Sequence, residues 1–113
     1  MSEVPQVDFP LDRYELLVLR VGEKAGGMHP DERRRLQAEH VAYLFGLQRS
    51  GKLLAAGAVA SSSITGLGFF ALGSIAEARA LAARDPSVAA GLDAAEVYTF
   101  MCPRGSLAFP NVV

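Results

Sequence analysis

Between residues 31 and 50, Leu36, His40, Tyr43, Leu44 and Leu47 recur at steps of three and four, which places them on one face of a predicted helix. Pro30 suits the first turn of that helix, Asp31 and Glu32 complement its positive end, and Gly51 follows as a left-handed stop. Before it, Tyr14–Val21 (YELLVLRV) is an almost unbroken apolar run of strand length. After it, Lys52–Ala60 and Thr65–Leu72 read as two strands joined across Ser61-Ser62-Ser63, with Gly57 marking a bulge or a close backbone approach. Ser74 and Glu77 have the spacing of a capping box, which predicts a second helix reaching about Arg84 and burying Ile75, Ala78, Leu81 and Ala82. Asp85-Pro86 stops that helix, and Asp85 can cap a short turn ending near Gly91. Last, Ala94–Pro103 alternates, with Val97, Thr99 and Met101 on one face and Glu96, Tyr98, Phe100 and Cys102 on the other.

This order, β-α-β-β-α-β, predicts an α+β ferredoxin-like domain over residues 14–103: a four-stranded antiparallel sheet with two helices on one face. Residues 1–13, with Pro5 and Pro10, read as an arm docking through Phe9 and Leu11. Residues 104–113, broken by Gly105 and Pro110, read as a tail over the surface. Two helices cover one sheet face only, yet the other face is also apolar whichever phase of the last strand points outward. A bare apolar sheet is uncommon on a soluble monomer, so a homodimer packed sheet on sheet is expected, with further assembly left open.

The 113 residues suffice for one core, and no run approaches the roughly 18 apolar residues of a membrane span. With 11 basic and 12 acidic residues, net charge −1, there is no electrostatic case for nucleic acid. Arg33-Arg34-Arg35 is the local exception, read as a solvated helix face with an anion-binding role as the alternative. The single cysteine, Cys102, permits no internal disulfide, and the acidic start lacks the form of a signal peptide, so a cytoplasmic protein is expected.

His40 is the anomaly, a titratable ring inside an apolar stripe that packing does not require. The glycine-rich segment 22–29 matches neither a P-loop nor a dinucleotide fingerprint. Cys102 reads as a packing residue, the serines as turn chemistry, and two histidines without a carboxylate at metal spacing argue against a metal centre. No cofactor is expected.

The chain resembles the YCII-related (YciI-like) proteins. The resemblance rests on Glu39-His40-Val41-Ala42-Tyr43-Leu44 with Leu47, and on Gly51-Lys52-Leu53-Leu54-Ala55-Ala56-Gly57. It continues in Glu77-Ala78-Arg79-Ala80-Leu81 and in Arg84-Asp85-Pro86-Ser87-Val88-Ala89-Ala90-Gly91-Leu92. It implies a dimeric α/β barrel whose pocket holds a histidine and an aspartate, here His40 and Asp85. The chain departs from the common pattern at Gln37, at Ser87 and in the hairpin Ser61–Thr65. A carboxylate beside an imidazole orients it and raises its proton affinity, which suits general acid–base work. Tyr43, Gly57 and His29 are the expected substrate-binding positions. Each has a plainer alternative: Tyr43 as core, Gly57 as backbone relief, and His29 as a solvated loop residue. Two functions follow. One is a general acid–base enzyme of lyase, isomerase or hydrolase type acting on a small organic acid or cyclic metabolite. The other is a non-catalytic module that binds a small ligand or supports a partner. Whether His40 and Asp85 are hydrogen-bonded and open to a pocket, or sealed in the core, separates them.

Overall fold

Four strands, β1 (Leu11–Val21), β2 (Leu53–Ala58), β3 (Ile64–Phe70) and β4 (Asp93–Pro103), form one antiparallel sheet in the order β2-β3-β1-β4. Helices α1 (Pro30–Arg49) and α2 (Ile75–Ala83) and the one-turn α3 (Pro86–Ala89) lie on one face, giving the ferredoxin-like α+β arrangement. The computed structural model describes residues 8–111. Residues 1–7 of the expected arm lie outside them, and its last part, from Leu11, is already strand and pairs with Pro103. Phe9 is half exposed and is not docked into the core.

The core lies between that sheet face and the helices. Leu17 and Leu19 of β1, Leu53 of β2, Phe70 of β3 and Val97 of β4 pack against Leu47 of α1 and Ala78, Leu81 and Ala82 of α2. Register with β1 decides the phase of β4: Val97 sits opposite Leu17 on the helix side, so Tyr98 and Phe100 face away.

Local chemistry fixes the helix ends. Ser74 accepts a hydrogen bond from the Glu77 amide at 3.1 Å, the expected cap. His29 caps α1, its Nδ1 accepting from the Asp31 amide at 3.0 Å, with Pro30 behind it in the first turn. Gly51, at φ +80°, closes the other end. The exit of β1 and the entry to β4 are clasped together: Gly22 N–H donates to the Leu92 carbonyl at 2.8 Å and Lys24 N–H to the Gly91 carbonyl at 3.0 Å. A Cβ at Gly22 would stand 2.2 Å from the Gly91 oxygen, so only glycine permits this approach.

The tail crosses the sheet face opposite the helices. Arg104 N–H donates to the Pro10 carbonyl at 3.0 Å and Gly105 N–H to Asp12 Oδ2 at 2.8 Å. Phe109 then packs edge-on to Tyr14, centroids 5.3 Å apart, and against Phe69 at 5.6 Å, which in turn meets Phe100 at 5.6 Å. The rest of that face keeps Leu67 and Tyr98 open, 38% and 46% exposed.

Candidate active site

His40 reaches its position because α1 lays the stripe Leu36, His40, Leu47 against the sheet and α3. Asp85 reaches its position because Pro86 ends the preceding helix and starts the next, leaving Asp85 as the cap of α3. The two meet between the helices. His40 Nδ1 lies 2.6 Å from Asp85 Oδ2, with His40 9% and Asp85 2% exposed. Asp85 Oδ1 accepts from both the Ser87 amide and the Ser87 hydroxyl, each at 3.0 Å, and Ser87 Oγ is also 3.3 Å from His40 Nδ1. Donors surround the carboxylate, so Nδ1 carries the imidazole proton and Nε2 is left as the basic nitrogen.

His40 lines a cavity of about 450 Å³ between α1 and the sheet, the size of a small-molecule site. The cavity exists because the strands beneath α1 carry small residues there: Ala56 and Ala58 on β2 and Gly66 on β3. Leu17, Leu19 and Leu44 make the wall apolar, and Val41 and Phe45, both exposed, stand at its edge. Its polar groups besides His40 are Gln37, Gln48, Thr65, Arg33 and Asp93. Asp93 is buried, 7% exposed, and its Oδ1 accepts from the Thr65 hydroxyl at 3.1 Å.

The His40 pKa is raised above the ordinary histidine value. The hydrogen bond that its Nδ1–H donates to Asp85 is the main cause; burial opposes it, and the charges of Asp85 and Asp93 add to the rise.

The structure brings together some of the expected residues and not others. His40 and Gly57 line the cavity, and Asp85 stands behind His40. Tyr43 does not line it; its hydroxyl donates to the Leu81 carbonyl at 2.6 Å, tying α1 to α2. His29 does not line it either, because its ring is spent on the α1 cap and is otherwise solvated. Of the arginine run, Arg34 pairs with Asp31 and Arg35 with Glu39, while Arg33 donates to the Ala25 carbonyl at the cavity's edge. Asp93, Thr65 and the buttressing role of Ser87 went unanticipated. The one signal for Asp93 is a charge at the start of an alternating strand, in phase with Ala95 and Val97 on the core side.

Residues 16–101 match the YCII-related domain. The chain belongs to the YCII-related family. No curated protein matches it. Among solved structures, it is similar to the 5-chloro-2-hydroxyhydroquinone dehydrochlorinase of Burkholderia phenoliruptrix AC1100, in complex with 2,5-dihydroxybenzoquinone. Identity to this enzyme is 22%, TM-score 0.51, over 75% of this chain and 90% of that one. At that identity the likeness speaks for the fold of this YCII-related protein. Among the described residues, no helix is long and apolar enough to cross a membrane.

Proposed function

We propose that this YCII-related protein is a general acid–base enzyme of lyase or isomerase type that takes a small organic acid or cyclic metabolite into the cavity beside His40. One observation carries the reading: a buried His–Asp pair at 2.6 Å whose histidine lines an apolar cavity. Asp85 holds the Nδ1–H tautomer, so Nε2 meets the ligand as a base and takes a proton from carbon or oxygen. It returns that proton to another atom of the same ligand in an isomerisation, or releases it as the leaving group departs in an elimination. Such a positioned base contributes about 10²–10⁴-fold in rate. Asp85 orients and stabilises the imidazolium formed during transfer and does not itself touch the ligand. The enzymatic nature of the dehydrochlorinase with the same fold is in keeping with this reading. The working form is a homodimer joined through the outer sheet face.

The test is turnover. Cyclic acids, lactones and halogenated hydroxy-aromatics are incubated with the protein and products followed by mass spectrometry, with His40→Gln alongside. Turnover abolished in the variant supports the reading. Turnover retained in His40→Gln removes His40 as the base, and ligand binding in the cavity with no turnover of any compound replaces the reading with a non-catalytic binding module.

A further inference from the structure

The cavity holds a second carboxylate that the His–Asp pair does not use. Asp93 opens β4, is paired with Val21 across β1, and points to the helix side of the sheet into a space walled by Leu17, Leu19 and Leu44. Among the described residues no arginine, lysine or histidine forms an ion pair with it, and its hydrogen-bond donor is the Thr65 hydroxyl on Oδ1. A carboxylate accepts about four hydrogen bonds, so one threonine leaves most of that capacity open. A carboxylate in apolar surroundings gains from hydrogen bonding, so a donor carried by a ligand in the cavity finds open acceptor capacity at Asp93. Arg33, the cation of the lining, is exposed and has turned a guanidinium N–H to the Ala25 carbonyl. Within the cavity, then, the fixed charge that meets a ligand is negative.

We propose that Asp93 sets the specificity of this cavity by accepting a hydrogen bond from a neutral ligand hydroxyl, so that the site takes uncharged, hydroxylated ring-sized compounds and rejects carboxylic acids. The inference rests on the cavity being the ligand site of the proposed enzyme and decides between the two ligand classes offered there. A hydroxyl donating to a carboxylate makes the short, charge-assisted type of hydrogen bond, and low dielectric strengthens it. A ligand carboxylate at the same place meets like charge, and it offers no donor. The same charge favours the imidazolium of His40, so Asp93 also steadies the protonated state that follows proton uptake. The 450 Å³ available suits one substituted ring and little more.

Resorcinol and benzoate, ring-sized and differing in charge and donor capacity, are the probes. Each is titrated into the wild-type protein at neutral pH, with the His40 ring resonances read by NMR. Resorcinol is expected to shift them and to bind roughly tenfold to a hundredfold more tightly than benzoate, the range of a hydrogen bond to a charged group. Asp93→Asn, nearly isosteric, is expected to remove most of that preference while leaving the His40–Asp85 hydrogen bond in place. Benzoate binding as tightly as resorcinol, held by Arg33, overturns the inference and leaves the acid–base reading standing. Silence of His40 towards both probes overturns it as well. Resorcinol binding that depends on Asp93 in a protein that turns nothing over upholds the specificity and removes the catalysis. Because the wild-type comparison stands alone, a poorly folded variant does not rescue the idea.

Discussion

At Asp85 one side chain has two tasks, and asparagine separates them. Its Oδ1 caps α3 by accepting from Ser87, while Oδ2 accepts the hydrogen bond of the His40 Nδ1–H. In Asp85→Asn the amide oxygen can keep the cap, but the NH₂ then faces His40 Nδ1 as a donor. The ring must take the other tautomer and show the cavity an N–H in place of a lone pair. We expect activity to be lost with little change in melting temperature, the His40 pKa to fall, and ring-nitrogen NMR shifts to report the exchanged tautomer. Superimposable titrations of the two proteins would show that the groups do not interact. Asp85→Ala loses the cap as well, about 1 kcal/mol, and leaves a buried ring without its acceptor. The pH dependence follows from the sign of the shift. His40 is raised in the folded state, so its interaction with Asp85 contributes stability fully below the unfolded value, about 6.5, and loses it as pH rises through the folded value. Activity runs the other way: a base must be neutral, so kcat/KM is expected to climb through that same elevated pKa. A rate independent of pH across this window would argue against His40 as the base.

Ends of elements were legible in the sequence where a single residue does a local job. Ser74 with Glu77, Asp85 with Pro86, and Gly51 each signalled a helix boundary, and each stands at a cap or stop in the structure. Local chemistry also placed His40 within an apolar stripe, and the family resemblance supplied its partner. What stayed hidden depends on distant pairing. Thr65 and Asp93 are 28 residues apart, and nothing near either announces the other. Tyr43 carries the period of a cavity residue but is claimed by the Leu81 carbonyl of the neighbouring helix, which periodicity does not show. Strand β1 starts at Leu11, ahead of Tyr14, because its first residues pair with the far end of β4. Gly22 is a further case, a loop glycine whose constraint comes from Gly91 backbone. Gly22→Ala is expected to cost about 3 kcal/mol in urea unfolding, near the top of the range for overpacking, since the contact is with backbone that cannot rotate away. A cost below about 0.5 kcal/mol would show that the clasp gives way.

For the molecule as a whole, the sheet face opposite the helices is divided. Phe109 covers the end built from Tyr14, Phe69 and Phe100, whereas Leu67 and Tyr98 stay open beside the exposed Arg20–Glu96 ion pair. That pair, with both side chains about 40% exposed, adds little stability by itself, so the proposed dimer would rest on the apolar patch. Light scattering is expected to give a dimer at micromolar concentration, with roughly 1,200–2,000 Å² buried in total. Tyr98→Glu, which sets a charge in the open half, is expected to give monomers without unfolding them. A wild-type monomer at that concentration would leave the tail, among the described residues, as the cover of this face.

The clasp between Gly22–Lys24 and Gly91–Leu92 also bears on how the chain breathes. Its amides lie in segments that look like ordinary loops, where hydrogen exchange is usually fast. Here the Gly22 and Lys24 amides are bonded to the stretch immediately before Asp93. They can exchange only when the entry to β4 lets go, so their protection should follow that of the central strands, and loop and strand should open as one cooperative unit.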